Sequence, residues 1–569
     1  MTEDARLTVI LCWHMHQPEY RDCVTGSYRL PWTLLHALKD YVDMAAHLEA
    51  TPGARAVVNF APVLLEQIED CAQTVSHHLR TGSVLSEPLL AALSGVLPAA
   101  TDARAALVAQ CLRAHDVRVI GRFAPFAHLR SVARRIGVDS PDLGLLSDAY
   151  LLDLVTWYLL GWMAETVRRR HPLIAALQEK GSGFDAADRR ALLELVHELL
   201  GGLLGRYRAL ADAGRVELAM SPYAHPILPL LLDLRAGLEA EPGAPQPAAT
   251  TYPGGADRAR WHLRHGREVF VRLLGREAQG CWPSEGALSA GTVRLLAEEG
   301  FRWCASGESV LRNSLGAGDA EAKDPVNCLH RVYRLGDAGV NIFFRDDGLS
   351  DLIGFRYADW HADDAVGDLL HHIGNIASAC PDRRNSAVSI VMDGENAWEH
   401  YPENAFHFLG ALYQRLAAHP LLSLGTFDSF LARNRPTPSV LLQLVAGSWV
   451  YGTLSTWVGS PDKNRGWDLL VEAKTTFDRA MAEGHLDAAA RAAAQRQLAI
   501  CEGSDWFWWF GDYNPAASVS DFEQLFRLHL ANLYRLLGEA VPPGLTQVVS
   551  TGHGDPALGG VMRPGSQGG

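Results

Sequence analysis

A carboxylate at the end of a buried strand can act as a nucleophile, and Cys281-Trp282-Pro283-Ser284-Glu285-Gly286 offers one. The segment reads as the end of a short strand, a Pro-containing turn and the start of a helix with Leu288, Val293, Leu295 and Leu296 on its apolar face. Backbone N–H groups at that helix mouth would hold Glu285 ionised. The plain alternative is a charge in a first helical turn, where Glu is common. His14 and His16 are one residue apart and so point the same way from a strand. They suit hydrogen bonding to substrate hydroxyls, metal ligation, or a merely structural burial. Glu217 interrupts an apolar run, where a carboxylate must be paired or neutral. It is either a site residue or an anchor for the histidines. Arg345 stands before Asp346, Asp347 and Asp351, in either an ion-paired turn or a polar pocket. Asp393-Gly394-Glu395-Asn396 ends another apolar run.

Two aromatic groups near the C-terminus interleave with acids and amides. One holds Trp449, Trp457, Asp462, Asn464 and Trp467; the other runs from Asp505-Trp506-Phe507-Trp508-Trp509 to Asn514. Rings stack on the apolar faces of sugars while carboxylates and amides take the hydroxyls. The competing reading makes these rings the core of a helical bundle.

Strands and helices must position these groups. Leu7–Trp13 and Ala56–Phe60 are continuous apolar runs, as expected of strands buried on both faces. Val216–Met220, the short segment ending at Cys281, Phe301–Ala305, Val340–Arg345 and Ser386–Met392 bring the number to seven. Helical patterns lie between most of them, which points to a parallel sheet wrapped by helices. Closing such a sheet brings all the strand ends to one face. Glu285, Asp393, His14, His16 and Glu217 would then share one mouth. Residues 84–210 read as a largely helical insertion, with Asp185 and Asp188 as a capping pair before a long amphipathic helix. Residues 239–257, rich in Pro, Ala and Gly, read as a mobile surface loop. The expected organisation is a catalytic barrel over 1–420, a helical domain over 421–540 and a flexible tail over 541–569.

Composition narrows the class. The 569 residues are 48% apolar, enough for a large packed core. A net charge of -14 without a clustered basic face argues against nucleic acid. Nine scattered cysteines without zinc-finger spacing suit free thiols in a reducing compartment. The acidic start Met1-Thr2-Glu3-Asp4 is unlike a signal peptide, and the longest apolar stretch, near Leu151–Met163, contains Asp153 and is too short for a bilayer. A soluble cytoplasmic protein without a membrane partner is expected.

Taken together, these segments resemble glycoside hydrolase family 57. His14-Met15-His16-Gln17-Pro18 resembles its first signature, and Gly214-Arg215-Val216-Glu217-Leu218 with Pro222-Tyr223-Ala224-His225-Pro226 resembles its second. Trp282-Pro283-Ser284-Glu285 resembles the third and Asp393-Gly394-Glu395 the fourth. The stretches near Trp457 and Asp505 resemble its C-terminal helical region, and the wording after Asp393 is most like the α-amylase or α-mannosidase-like branch. The resemblance implies an incomplete (β/α)7 TIM-like barrel with helical insertions, followed by a C-terminal α-helical domain. It implies retaining action on α-1,4-glucans, with Glu285 as nucleophile and Asp393 as general acid/base and no cofactor. His14, His16, Glu217, Trp282, Arg345, Asp351, Trp457, Asp505 and Trp506 are the expected substrate-binding residues. Transfer to a second glucan, as in a branching enzyme or 4-α-glucanotransferase, would use the same two carboxylates. Two other classes compete: a metal-dependent hydrolase built on His14, His16 and a carboxylate, and a glucan-binding protein without catalysis.

Overall fold

The computed structural model describes residues 6–315, 328–554, 562, 563 and 565. Its centre is a ring of parallel strands. In chain order the strands are β1 Leu7–Met15, β2 Ala56–Phe60, β3 Val216–Met220, β4 Gly280–Cys281, β5 Trp303–Gly307, β6 Tyr333–Leu335, β7 Asn341–Arg345, β8 Ala387–Asp393, β9 Leu422–Gly425 and β10 Ser439–Leu441. Seven of them, β1-β2-β3-β4-β5-β7-β8, are hydrogen-bonded in that order, and β8 returns to β1. The β7–β8 seam closes the ring through one register pair, Arg345 with Ser389. The expected seven-stranded barrel surrounded by helices is therefore present, with a helical C-terminal region after it. β6 runs antiparallel to β7 and carries β10, while β9 lies parallel to the start of β1. Two strands beyond residue 420 thus belong to the same sheet.

The barrel interior is filled. Ile10, Cys12, Val57, Ala219, Trp282, Trp303, Phe343 and Val391 form one apolar cluster with Phe427 and Phe430. Alternation along β1 sends Ile10, Cys12 and His14 inward. Gly280 is required by this packing, because a Cβ there would lie 1.8 Å from the Trp303 indole.

The insertion folds as helices, ending in Ala186–Asp212 with the expected Asp185/Asp188 capping box. The C-terminal region packs Pro461–Glu483, Ala488–Cys501, Asp505–Trp509 and Ala516–Leu536. The Pro-rich loop after Glu239 is tied to it, since Asp468 accepts the N–H groups of Ala248 and Ala249. The tail begins with Leu545 and Ser550 buried; residues 555–561, 564 and 566–569, like Met1-Thr2-Glu3-Asp4, lie outside the described residues. Among the described residues no helix is long and apolar enough to cross a membrane. All nine cysteines are free thiols.

Candidate active site

Register places the first groups. His14 is level with Asn59 on one side and with Asp393 on the other, all at the C-terminal end of the ring. His14 Nδ1 lies 2.7 Å from Asn59 Oδ1, and His14 Nε2 lies 3.0 Å from His225 Nε2. A carbonyl oxygen only accepts, so His14 donates from Nδ1 and accepts at Nε2. His225 then donates from Nε2 and accepts the Ser504 hydroxyl at Nδ1, 2.9 Å away. Burial lowers His14 to about 3, helped by the neighbouring His16, and drives His225 well below the ordinary imidazole range. Both rings are neutral, which this chain of hydrogen bonds requires. His16 stacks on His225 with centroids 3.8 Å apart and donates from Nε2 to the Asp505 carboxylate at 2.9 Å.

Glu285 sits in the left-handed region, at φ 59° and ψ 23°. A non-glycine residue held there costs roughly 1–3 kcal/mol, and such outliers gather at functional sites. The surroundings fix it: Trp449 donates its backbone N–H to the Glu285 carbonyl at 3.0 Å and its indole N–H to Oε2 at 2.9 Å. The expected helix does not begin at Glu285. A single tight turn covers Ser284–Gly286, and the helix starts at Ala290 with Ser289 as its cap. Helix amides therefore do not hold this carboxylate ionised; the Trp449 indole is its donor. Burial, and then the charge of Asp393, push Glu285 up to about 8. Asp393 accepts from the Asn396 amide at 2.9 Å, and burial pushes it up to about 6. Two buried carboxyls that repel each other hold one proton between them across neutral pH.

One cleft is lined by both carboxyls together with His14, His16, Arg345, Glu395, Trp449 and Asp505. Arg345 is oriented by Asp347 and Asp351, each 2.6 Å away, and its guanidinium lies 5.5 Å from the Trp449 ring centre. Asp351 stands behind Arg345 rather than in the cleft, so the Arg–Asp cluster is both an ion-paired turn and, through Arg345, part of the pocket.

Four more expected binding residues, besides Asp351, are placed elsewhere. Glu217 points inward but near the start of β3, at the opposite end of the barrel. There it takes the Trp303 indole N–H at 2.6 Å and the Asp428 N–H at 2.8 Å, capping the helix Phe427–Asn434. It is the structural anchor, though not one for the histidines. Trp282 is fully buried, 5.2 Å from Trp449, and it is Trp449 that meets the cleft. Trp457 is fully buried and its carbonyl accepts the Trp467 indole N–H. Trp506 packs on Phe522, Phe526 and His529. Residues 505–509 form one helical turn, so Asp505, Trp508 and Trp509 share the cleft face. That spacing groups Trp508 and Trp509 with Asp505 and apart from Trp506 in the sequence, while packing decides which group meets the cleft.

Glu395, His225 and Trp449 belong to the site although the sequence assigns them no specific role. Glu395 has Oε1 bonded by the His16 backbone N–H at 3.2 Å and by the Gln17 amide at 3.3 Å. Its Oε2 has no partner among the described residues, and burial with the Asp393 charge drives it well above the usual carboxylate range. His225 lies in the second signature segment and Trp449 in the first aromatic group; both are supplied by loops after strands, so the sequence marks their segments without placing their side chains. Among the described residues, His16, His225 and Asp505 form the one group with ligand-type atoms within 4.8 Å of one another. Those atoms already have protein partners in Asp505, His14 and Ser504.

Residues 10–443 match the sequence profile described as Glycosyl hydrolase family 57. No curated protein matches the sequence. Among solved structures, the α-amylase AmyC from Thermotoga maritima superposes with a TM-score of 0.56 at 12% identity, over 94% of this chain and 93% of that one. The GH57-type branching enzyme from Pyrococcus horikoshii gives 0.55 at 16% identity, over 95% and 96% of the two chains. The 4-alpha-glucanotransferase from Thermococcus litoralis gives 0.51 at 14% identity, over 93% of this chain and 60% of that one. At these identities the likeness is one of fold.

Proposed function

The chain belongs to glycosyl hydrolase family 57, and from that premise we propose that it cleaves α-1,4-linked glucans with retention, Glu285 acting as nucleophile and Asp393 as general acid/base. The carrying observation is that these two carboxyls, far apart in the sequence, line one cleft, where burial raises both and the Asp393 charge raises Glu285 further. Retaining enzymes hold such a pair roughly 5–5.5 Å apart. In the first step a Glu285 oxygen bonds to the anomeric carbon as the glycosidic C–O bond breaks. Asp393 gives its proton to the leaving oxygen. In the second, Asp393 takes a proton from the acceptor hydroxyl, whose oxygen displaces Glu285 from the sugar.

On their own, the two carboxyls keep the shared proton more on Glu285 than on Asp393. Bound glucan reverses this. The glycosidic oxygen offers Asp393 an acceptor, and the developing positive charge at the anomeric carbon favours ionised Glu285. His16, held by Asp505, and Arg345, held by Asp347 and Asp351, are placed to meet sugar hydroxyls. Trp508 and Trp509 offer aromatic surface for the sugar faces. Residues 1–420 carry the catalytic groups in this reading, and the following helical region supplies the aromatic wall. That wall also supports a second reading, transfer to another glucan, because it lowers water access beside the ester.

The test is Glu285→Gln and Asp393→Asn, with amylose and maltotetraose as substrates and products resolved by chain length and branch content. Each variant should lose at least about 10³-fold in rate while its melting temperature is kept. Undiminished activity in either refutes the assignment. New reducing ends mark hydrolysis, and redistributed or branched chains without them mark transfer.

A further inference from the structure

We propose that Met562, Arg563 and Gly565 wall off one side of the cleft, and that Arg563 is a specificity-determining residue limiting how many sugar units fit on that side; the inference rests on the α-glucan reading above.

The route of the chain is the first support. Ser550 is buried, accepts the Gly511 N–H at 2.9 Å and donates to Asp462 at 2.8 Å. His553 and Gly554 donate backbone N–H groups to the carbonyls of Asp512 and Asn514, at 2.9 and 3.0 Å. The tail is thus fastened to the loop that follows the Asp505–Trp509 turn. Met562 and Arg563 then line the same cleft as Glu285 and Asp393.

Arg563 is seated by contacts rather than left in solvent. Its guanidinium lies 4.6 Å from the ring centres of both Trp508 and Tyr513, and it donates to Asn514 Oδ1 at 3.4 Å. A guanidinium on an aromatic face is a favourable, planar contact. It covers Trp508, a ring that would otherwise present more of its face to a sugar. Gly565 ties the segment to the other bank. Its N–H donates to Asp351 Oδ2 at 2.9 Å, and its carbonyl accepts the Tyr451 N–H at 3.0 Å. A Cβ on Gly565 would lie 2.6 Å from Asp347 Cγ and 2.8 Å from an Arg345 nitrogen, so no larger residue fits. Arg563 on Tyr513 and Gly565 on the Arg345 cluster thus meet the helical region and the end of β7 respectively. Arg563 also faces Glu285, together with Asp393, Asp505 and His225, and its positive charge favours the ionised nucleophile.

The test uses the full chain, Arg563→Ala, and a chain ending at Gly554. The readouts are kcat/KM for maltotriose, maltoheptaose and amylose, and hydrogen exchange of residues 505–513. Opening the wall should raise the amylose-to-maltotriose ratio of kcat/KM about tenfold in the shortened chain and about threefold in Arg563→Ala. Exchange at 505–513 should quicken in the shortened chain while the barrel strands keep their protection. An active full chain with both ratios within twofold of its own, or with unchanged exchange at 505–513, overturns the wall alone. A full chain that leaves all three glucans untouched overturns the glucan reading and the inference together.

Discussion

Trp449→Phe isolates one hydrogen bond at the centre of the site. The variant keeps an apolar ring beside Trp282 and Arg345 and keeps the backbone N–H that holds the Glu285 carbonyl. It removes the indole N–H that donates to Glu285 Oε2 at 2.9 Å. A hydrogen bond to a charged group contributes about 1.5–3 kcal/mol, and one pKa unit is about 1.36 kcal/mol. The Glu285 pKa should therefore rise by about 1–2 pH units, since the lost donor favoured the ionised form. In the proposed mechanism the active species carries one proton, on Asp393. Its acid limb follows Asp393, near 6, and its basic limb follows Glu285, near 8. Weakening the Glu285 anion moves the basic limb up by about 1–2 pH units. It also moves the shared proton further onto Glu285, so the plateau of kcat/KM falls about 10–100-fold. The acid limb stays in place. The assay is initial-rate release of reducing ends from maltoheptaose between pH 4 and 10, with thermal unfolding followed in parallel. A basic limb that stays or moves down, with an unchanged plateau, refutes both the protonation scheme and the role of Trp449.

The helical turn at 505–509 separates two tryptophans. Trp506→Ala should lower stability by about 3–5 kcal/mol, read as a fall in melting temperature with KM for maltoheptaose little changed. Trp509→Leu should raise that KM about tenfold, equal to about 1.4 kcal/mol of binding, with a smaller loss of stability; interchanged outcomes would refute the assignment of the two faces. Glu217 tests the barrel base. Burial raises it from 4.5 to about 7, so its contribution to stability is complete below pH 4.5 and is lost as pH rises through 7. Glu217→Gln should abolish that loss, giving a difference in melting temperature from the parent that varies between pH 4.5 and 7 and is flat above and below. KM for maltoheptaose should not move, and a rise in it would return Glu217 to the substrate site.

Much of this protein is legible one residue at a time. Apolar runs that stop at His14 and Asp393 declare buried strands with polar ends, because a strand covered on both faces tolerates polar groups only where it emerges. The two-residue period then turns His14 inward, and closure of the ring brings Asp393 beside it. The same period turns Glu217 inward, but parity says nothing of height: the carboxylate lies two residues below the level of Asn59 and Ala219, among the closing aromatics at the base. Which tryptophan meets the cleft depends on the phase of a five-residue turn, and that phase is set by packing against Ala516–Leu536. The donor to Glu285 comes from Trp449, 164 positions away, and the partner of His14 comes from His225, 211 positions away. No local pattern encodes such meetings. They follow from how the loops are pressed together once the barrel and the helices have buried their apolar faces, so the strands and their polar ends were set by the order of residues, and the donors, walls and proton affinities of the cleft by the packed chain.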